Sequence, residues 1–140
     1  MEGFEKRVRD NFARQPFMTT LGAEMSRVQR GAVEIRFPFA FSLTQQNQFV
    51  HAGAITTILD SACGYAALSL AAEDHDVLTV EFKVNLLAPA VGEEFFARAQ
   101  VKRAGKTLTV CAADAFANKN GEEKLVATML ATIIVMKPSA

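Results

Sequence analysis

"NQFVHAGAITTILDSACGYA", residues 47–66, carries a single carboxylate, Asp60, two turns inside an otherwise apolar run that opens just after His51. Ile55, Leu59, Ala62 and Ala66 recur at spacings of three and four, which predicts a buried helical stripe. Thr56, Thr57, Asp60, Ser61 and Gly64 form a second stripe of polar or small groups, over which another backbone can come close. Acidic residues are seldom set among apolar helix positions without a partner or a task. If a sheet wraps the helix, the surface around Asp60 meets either solvent or a second subunit.

The spacing predicts this long helix from about Ala52 to Leu70, where "AAEDHD" ends it. Upstream, Phe4, Val8 and Phe12 recur every four residues, predicting a short amphipathic helix within residues 1–15 that Pro16 limits. From Ala23 to Pro38 the pattern alternates, with Gly31 at a hairpin turn, and "SLTQQNQFV" reads as a polar loop. Four strands are expected downstream. "VLTVEFKVNLLAP" places Leu78, Val80, Phe82, Val84 and Leu86 on one face. "GEEFFARAQVKR" and "KTLTVCAADAFA" flank a turn at Gly105, and "KLVATMLATIIVMK" follows the turn "NKNG". Antiparallel strands in succession around one segregated helix indicate a single α+β domain over residues 1–140. A long, nearly all-apolar helix needs cover on most sides, which a curved sheet wrapped around it supplies.

Composition narrows the function. Fifteen basic residues balance fifteen acidic ones, so nothing marks a nucleic-acid binder or a polybasic membrane surface. "MEGFEKRVRD" lacks the apolar core of a signal peptide, and no stretch approaches the ~20 apolar residues of a bilayer span, so a cytoplasmic protein is expected. Cys63 and Cys111 stand in apolar runs with no CxxC or Cys/His cluster, which predicts reduced core thiols and no metal.

Chemistry is predicted at the helix start. The first amides of a helix lack internal acceptors and carry the positive end of its dipole. Ala52 and Gly53 have almost no side chain, so a ligand oxygen can reach those N–H groups as in an oxyanion hole. His51 serves as a helix cap or orients a ligand. Lys102, Arg103 and Lys106 cluster at a turn suited to phosphates or simply to water.

"HAGAITTILDSACGYA" resembles the H-[GA]-G-x₆-[DE] signature of the hotdog-fold acyl-CoA thioesterases, in particular the phenylacetic-acid-degradation (PaaI-like) branch. "TVEFKVNLLAPAVGE" and the "VKRAGKTLTV" hairpin resemble that family's next blocks, in order. The resemblance spans roughly residues 15–136. It implies a hotdog fold in which two units pair edge to edge as a homodimer, with a dimer of dimers also open. It implies an acyl-CoA substrate and no cofactor. Asp60 matches the catalytic carboxylate, as general base or nucleophile, and Ala52 the residue whose amide polarises the thioester carbonyl. Gly53 matches the second glycine of the motif, and Thr79 a Ser/Thr that helps to position water. Gln45 stands where many relatives have Asn, with Asn47 nearby but out of register. Asn47 and Val50, with Lys102, Arg103 and Lys106 for coenzyme A phosphates, complete the implied substrate contacts. A hotdog protein that binds acyl-CoA without cleaving it, or a hotdog hydratase, are the competing readings. Asp60 argues against the first, and the placement of His75 in a polar loop against the second.

Overall fold

The computed structural model describes residues 2–138. Two short helices, α1 (Gly3–Ala13) and α2 (Pro16–Leu21), precede the hairpin β1 (Glu24–Gln29) and β2 (Ala32–Pro38). A loop with a 3₁₀ turn at Phe41–Leu43 leads to the long helix α3 (Ala52–Leu68), followed by β3 (Asp76–Leu86), β4 (Glu94–Ala104), β5 (Leu108–Lys119) and β6 (Glu122–Met136). The expectation omitted α2. Pro16 ends one helix and begins the next, since a first helical position needs no N–H.

The six strands form one antiparallel sheet in the order β1-β2-β4-β5-β6-β3. It curls around α3, giving the expected α+β hotdog arrangement. Inward positions on the central strands are mostly alanine: Ala97, Ala99, Ala113, Ala115, Ala127 and Ala131 are all buried. Small side chains let the sheet close onto the helix, where Ile55, Ile58, Leu59, Ala62 and Ala66 are buried in return. The predicted stripe therefore forms the core. Cys63 and Cys111 are buried free thiols within it.

The turns follow their residues. Arg30 and Gly31 join β1 to β2 with Gly31 at φ 76°, while Asn120 and Gly121, at φ 54° and 82°, close the β5–β6 hairpin.

One strand departs from its predicted pattern. A bulge at Val80 shifts the β3–β6 register between Thr79 and Glu81. Beyond it Phe82, Val84 and Leu86 pair with the buried Ala131, Met129 and Ala127; before it Thr79 pairs with the buried Ile133. Directly paired residues share a face, so Thr79 points towards the helix and Leu78 away from it. The five apolar residues expected on one face are divided between two. β3 is also an edge strand, and Leu78, Val80, Phe82 and Leu86 stay 45–57% exposed.

At the β4–β5 turn the Gly105 N–H donates to the Leu108 carbonyl at 2.8 Å, and a Cβ on Gly105 would lie 2.5 Å from that oxygen. Gly105→Ala is expected to destabilise the fold by about 1–3 kcal/mol, read from urea unfolding. Gly64→Ala, with open space at its Cβ, is expected not to destabilise it.

Candidate active site

α3 begins at a cap formed by His51. Its backbone is extended (φ −61°, ψ 138°), and its Nδ1 accepts the Gly53 N–H at 2.7 Å. An accepting Nδ1 carries no proton, so a neutral ring holds its hydrogen on Nε2. A Cβ on Gly53 would lie 3.0 Å from Nδ1, so the glycine makes room for the capping imidazole. Of the two predicted histidine roles the cap is the one observed, and it occupies the Gly53 amide. The Ala52 N–H has no acceptor among the described residues. Ala52 lines a cavity of about 580 Å³ whose walls also include Gln45, Val50, Ile55, Leu86 and Val126.

Gln45 is built into the loop beside this cavity. Its Oε1 accepts the Asn47 N–H at 2.5 Å and the Phe49 N–H at 3.4 Å, leaving its NH₂ group for other contacts. Asn47 is exposed and lies off the cavity wall, whereas Val50 is buried in it.

Asp60 lies elsewhere. Half-buried on α3, it accepts at Oδ1 from the Thr79 hydroxyl at 2.7 Å. The bulge at Val80 makes this possible by keeping Thr79 on the helix side of the edge strand. With Oδ1 engaged, Oδ2 is the oxygen open to a ligand. Both residues line a separate cavity of about 360 Å³, bounded also by Gly64, Tyr65 and Leu68 of α3. Cys63, one turn further on α3, does not compete as a nucleophile: burial pushes its thiol well above the usual range, and Cys111 and Asp60 add to that shift.

Thus one chain pairs Asp60 with Thr79 and groups Gln45, Val50, His51 and Ala52, but keeps the two groups on different cavities. Residues 52 and 60 are eight apart on one helix, ~12 Å along its axis. Lys102, Arg103 and Lys106 are exposed on neither cavity. Their turn lies at the Asp60 end of the molecule, since Leu108 and Leu78 both pair with Ile134. No cluster of metal-ligating side chains occurs among the described residues. No helix there is long and apolar enough to cross a membrane.

Three residues at the Asp60 cavity escaped the sequence reading: Asn11, Gln15 and Tyr65, joined by hydrogen bonds of 2.6 and 3.0 Å. Phe12 packs edge-on against Tyr65 at 5.8 Å, which fixes α1 over α3. Polar residues flanking Phe12 and Pro16 were the available signal, but only the docking of α1 turns them inward.

Residues 47–124, more than half of the 140-residue chain, match the family model described as the thioesterase superfamily. The chain belongs to that family. A thioesterase family protein from Silicibacter pomeroyi is 54% identical, with a TM-score of 0.96 over 97% of this chain and 100% of its own. The medium/long-chain acyl-CoA thioesterase YigI of Escherichia coli is 26% identical over 136 residues, spanning 86% of this chain and 85% of its own. The Escherichia coli PaaI protein, from the phenylacetic acid degradation operon, shares the fold at 17% identity, with a TM-score of 0.84 over 98% of this chain and 94% of its own. The reaction class of this thioesterase is thioester hydrolysis.

His51→Ala should cost about 0.5–2 kcal/mol in denaturant unfolding, because the Gly53 amide loses its acceptor, while His51→Asn, another good cap, should keep most of that stability.

Proposed function

We propose that this thioesterase cleaves acyl-CoA at a site shared between two chains, with Asp60 of one chain facing the Ala52 amide of its partner. The observation that carries this reading is the separation of two complementary half-sites: a carboxylate held by Thr79 on one cavity, and an unpaired helix-terminal amide on another. Edge-to-edge pairing along β3 would bring the halves together and cover Leu78, Val80, Phe82 and Leu86, which stand exposed on an unpaired strand. A two-fold dimer then holds two equivalent sites.

The reaction follows from the groups. The thioester carbonyl oxygen accepts the Ala52 N–H, where the helix dipole favours developing negative charge. Water, held by Asp60 Oδ2 and the Thr79 oxygen, attacks the carbonyl carbon as its proton passes to the carboxylate. The tetrahedral intermediate collapses, the C–S bond breaks, and the coenzyme A sulfur takes the proton from Asp60. If Asp60 attacks directly, its carboxylate oxygen displaces the coenzyme A thiolate as the C–S bond breaks, giving a mixed anhydride. Water then cleaves this to the free acid and the Asp60 carboxylate, and the released proton goes to the thiolate. In this reading the Gln45 NH₂ group steers the substrate beside Ala52, with which it shares a cavity. Val50 contributes apolar wall, and Lys102, Arg103 and Lys106 extend towards the phosphates of coenzyme A.

Asp60→Asn is expected to lower kcat by about 10²-fold or more, the scale of a lost general base, with acyl-CoA affinity retained. Ala52→Pro deletes only the amide donor, since His51 already has the extended backbone that proline requires before it. Each variant alone should be inactive. Random exchange of subunits makes about half of the dimers mixed, each with one intact site, so roughly a quarter of wild-type activity should return. A mixture no more active than its parents refutes the shared site.

The basic turn has its own check. KM for acyl-CoA should rise with ionic strength and on replacing Lys102, Arg103 and Lys106 by Gln, while a short pantetheine thioester without the nucleotide should respond to neither.

A further inference from the structure

The cavity beside Asp60 contains a feature that hydrolysis itself does not use. Besides the carboxylate, its walls carry a row of polar groups. Gln15 Nε2 donates to the Tyr65 hydroxyl at 2.6 Å, and that hydroxyl donates to Asn11 Oδ1 at 3.0 Å. All three side chains line the cavity with Asp60. Each keeps unused capacity: a lone pair on the hydroxyl, the NH₂ of Asn11, and the carbonyl oxygen of Gln15. Tyr65 is 5% exposed and braced by Phe12, so its hydroxyl is carried at a fixed point. Burial raises its pKa above the ordinary phenol range, so it remains a neutral O–H.

The remaining walls define the space in front of this row. Gly64 leaves it open where a Cβ would intrude, and Leu68 and Val77 make it apolar. Asp60 and Tyr65 are five residues apart on α3, ~7.5 Å along the axis. A volume of about 360 Å³ is near the small end of ligand pockets, which run from about 300 to 1,000 Å³. Two carboxylates, Asp60 and Asp76, line the space and no Lys or Arg does.

We propose that Asn11, Gln15 and Tyr65 form the specificity-determining floor of the acyl pocket, selecting short acyl groups that end in a neutral polar function, a hydroxyl or an oxo group. The proposal rests on the thioesterase reading above and names its substrate class. A hydroxyl or oxo end exchanges hydrogen bonds with the row. An alkyl end strips water from three polar groups and returns nothing. A carboxylate end meets Asp60 and Asp76 with no cation on the cavity wall, Arg14 acting on the Tyr65 hydroxyl only from outside it.

The test uses three thioesters of equal chain length: ω-hydroxyhexanoyl-CoA, hexanoyl-CoA and adipoyl-CoA. On the native protein kcat/KM should favour the hydroxyacyl group over the plain one by about five- to tenfold, the scale of one net hydrogen bond, with adipoyl-CoA poorest. Tyr65→Phe, which keeps the ring, and Gln15→Leu, on a half-buried position, should each bring the hydroxyl-to-alkyl ratio to about one. The order of the two neutral thioesters, ω-hydroxyhexanoyl-CoA ahead of hexanoyl-CoA, read as Kd by calorimetry on Asp60→Asn, should hold without turnover and vanish when Tyr65→Phe is added. Turnover of all three thioesters with no hydroxyl preference, or a preference that survives both floor variants, overturns the floor. Absence of turnover with the binding order intact upholds the floor and overturns the hydrolytic reading instead. Absence of the binding order overturns the floor whatever the turnover.

Discussion

An apolar helix of seventeen residues cannot remain in water, and α3 escapes it by lying in a sheet whose inward positions are largely alanine. The small side chains set how closely sheet and helix approach. That closeness carries Thr79 of the edge strand to hydrogen-bond distance of the one carboxylate on the helix. The polar stripe of α3 is what the wrap leaves over, because the sheet is used up on the apolar stripe. Asp60, Ser61 and Gly64 therefore end half-buried beside an open cavity.

The bulge at Val80 joins this packing to the site. Without it, strict alternation would keep one face of β3 uniform, and Thr79 would fall on the face opposite Val84. The extra residue reverses the alternation part-way along, which turns Thr79 to the helix while leaving Phe82, Val84 and Leu86 inward further on. Apolar side chains on both sides of an unpaired edge are costly in water. The proposed pairing along β3 would relieve that cost and complete the site together.

At the other end of α3 the helix start combines two demands. His51 satisfies the Gly53 amide, and the absence of a side chain on Gly53 admits its ring. The Ala52 amide stays free because it precedes the capped one, and Ala52 lines the cavity. Structural capping and a donor for a substrate oxygen thus occupy adjacent residues without competing.

The periodicity of residues 52–70 by itself determined that a long helix would be buried on the stripe of Ile55, Leu59, Ala62 and Ala66, and the turn residues at Gly31, Gly105 and Asn120–Gly121 determined where strands would reverse. Both are local: side-chain spacing and backbone freedom act over a few residues. The family motif around His51 and Asp60 was equally legible, because it lies within one continuous stretch. The resemblance named Thr79 as well, but tertiary structure alone decided that it holds Asp60 directly and what else surrounds the carboxylate. The Thr79 contact spans nineteen residues and depends on a bulge that alternation does not foretell. The Tyr65–Gln15–Asn11 row joins positions fifty and fifty-four apart, through the docking of a helix that reads only as amphipathic. Hydrogen bonds between distant segments require the packed core to bring them within ~3 Å, and no local pattern records that distance.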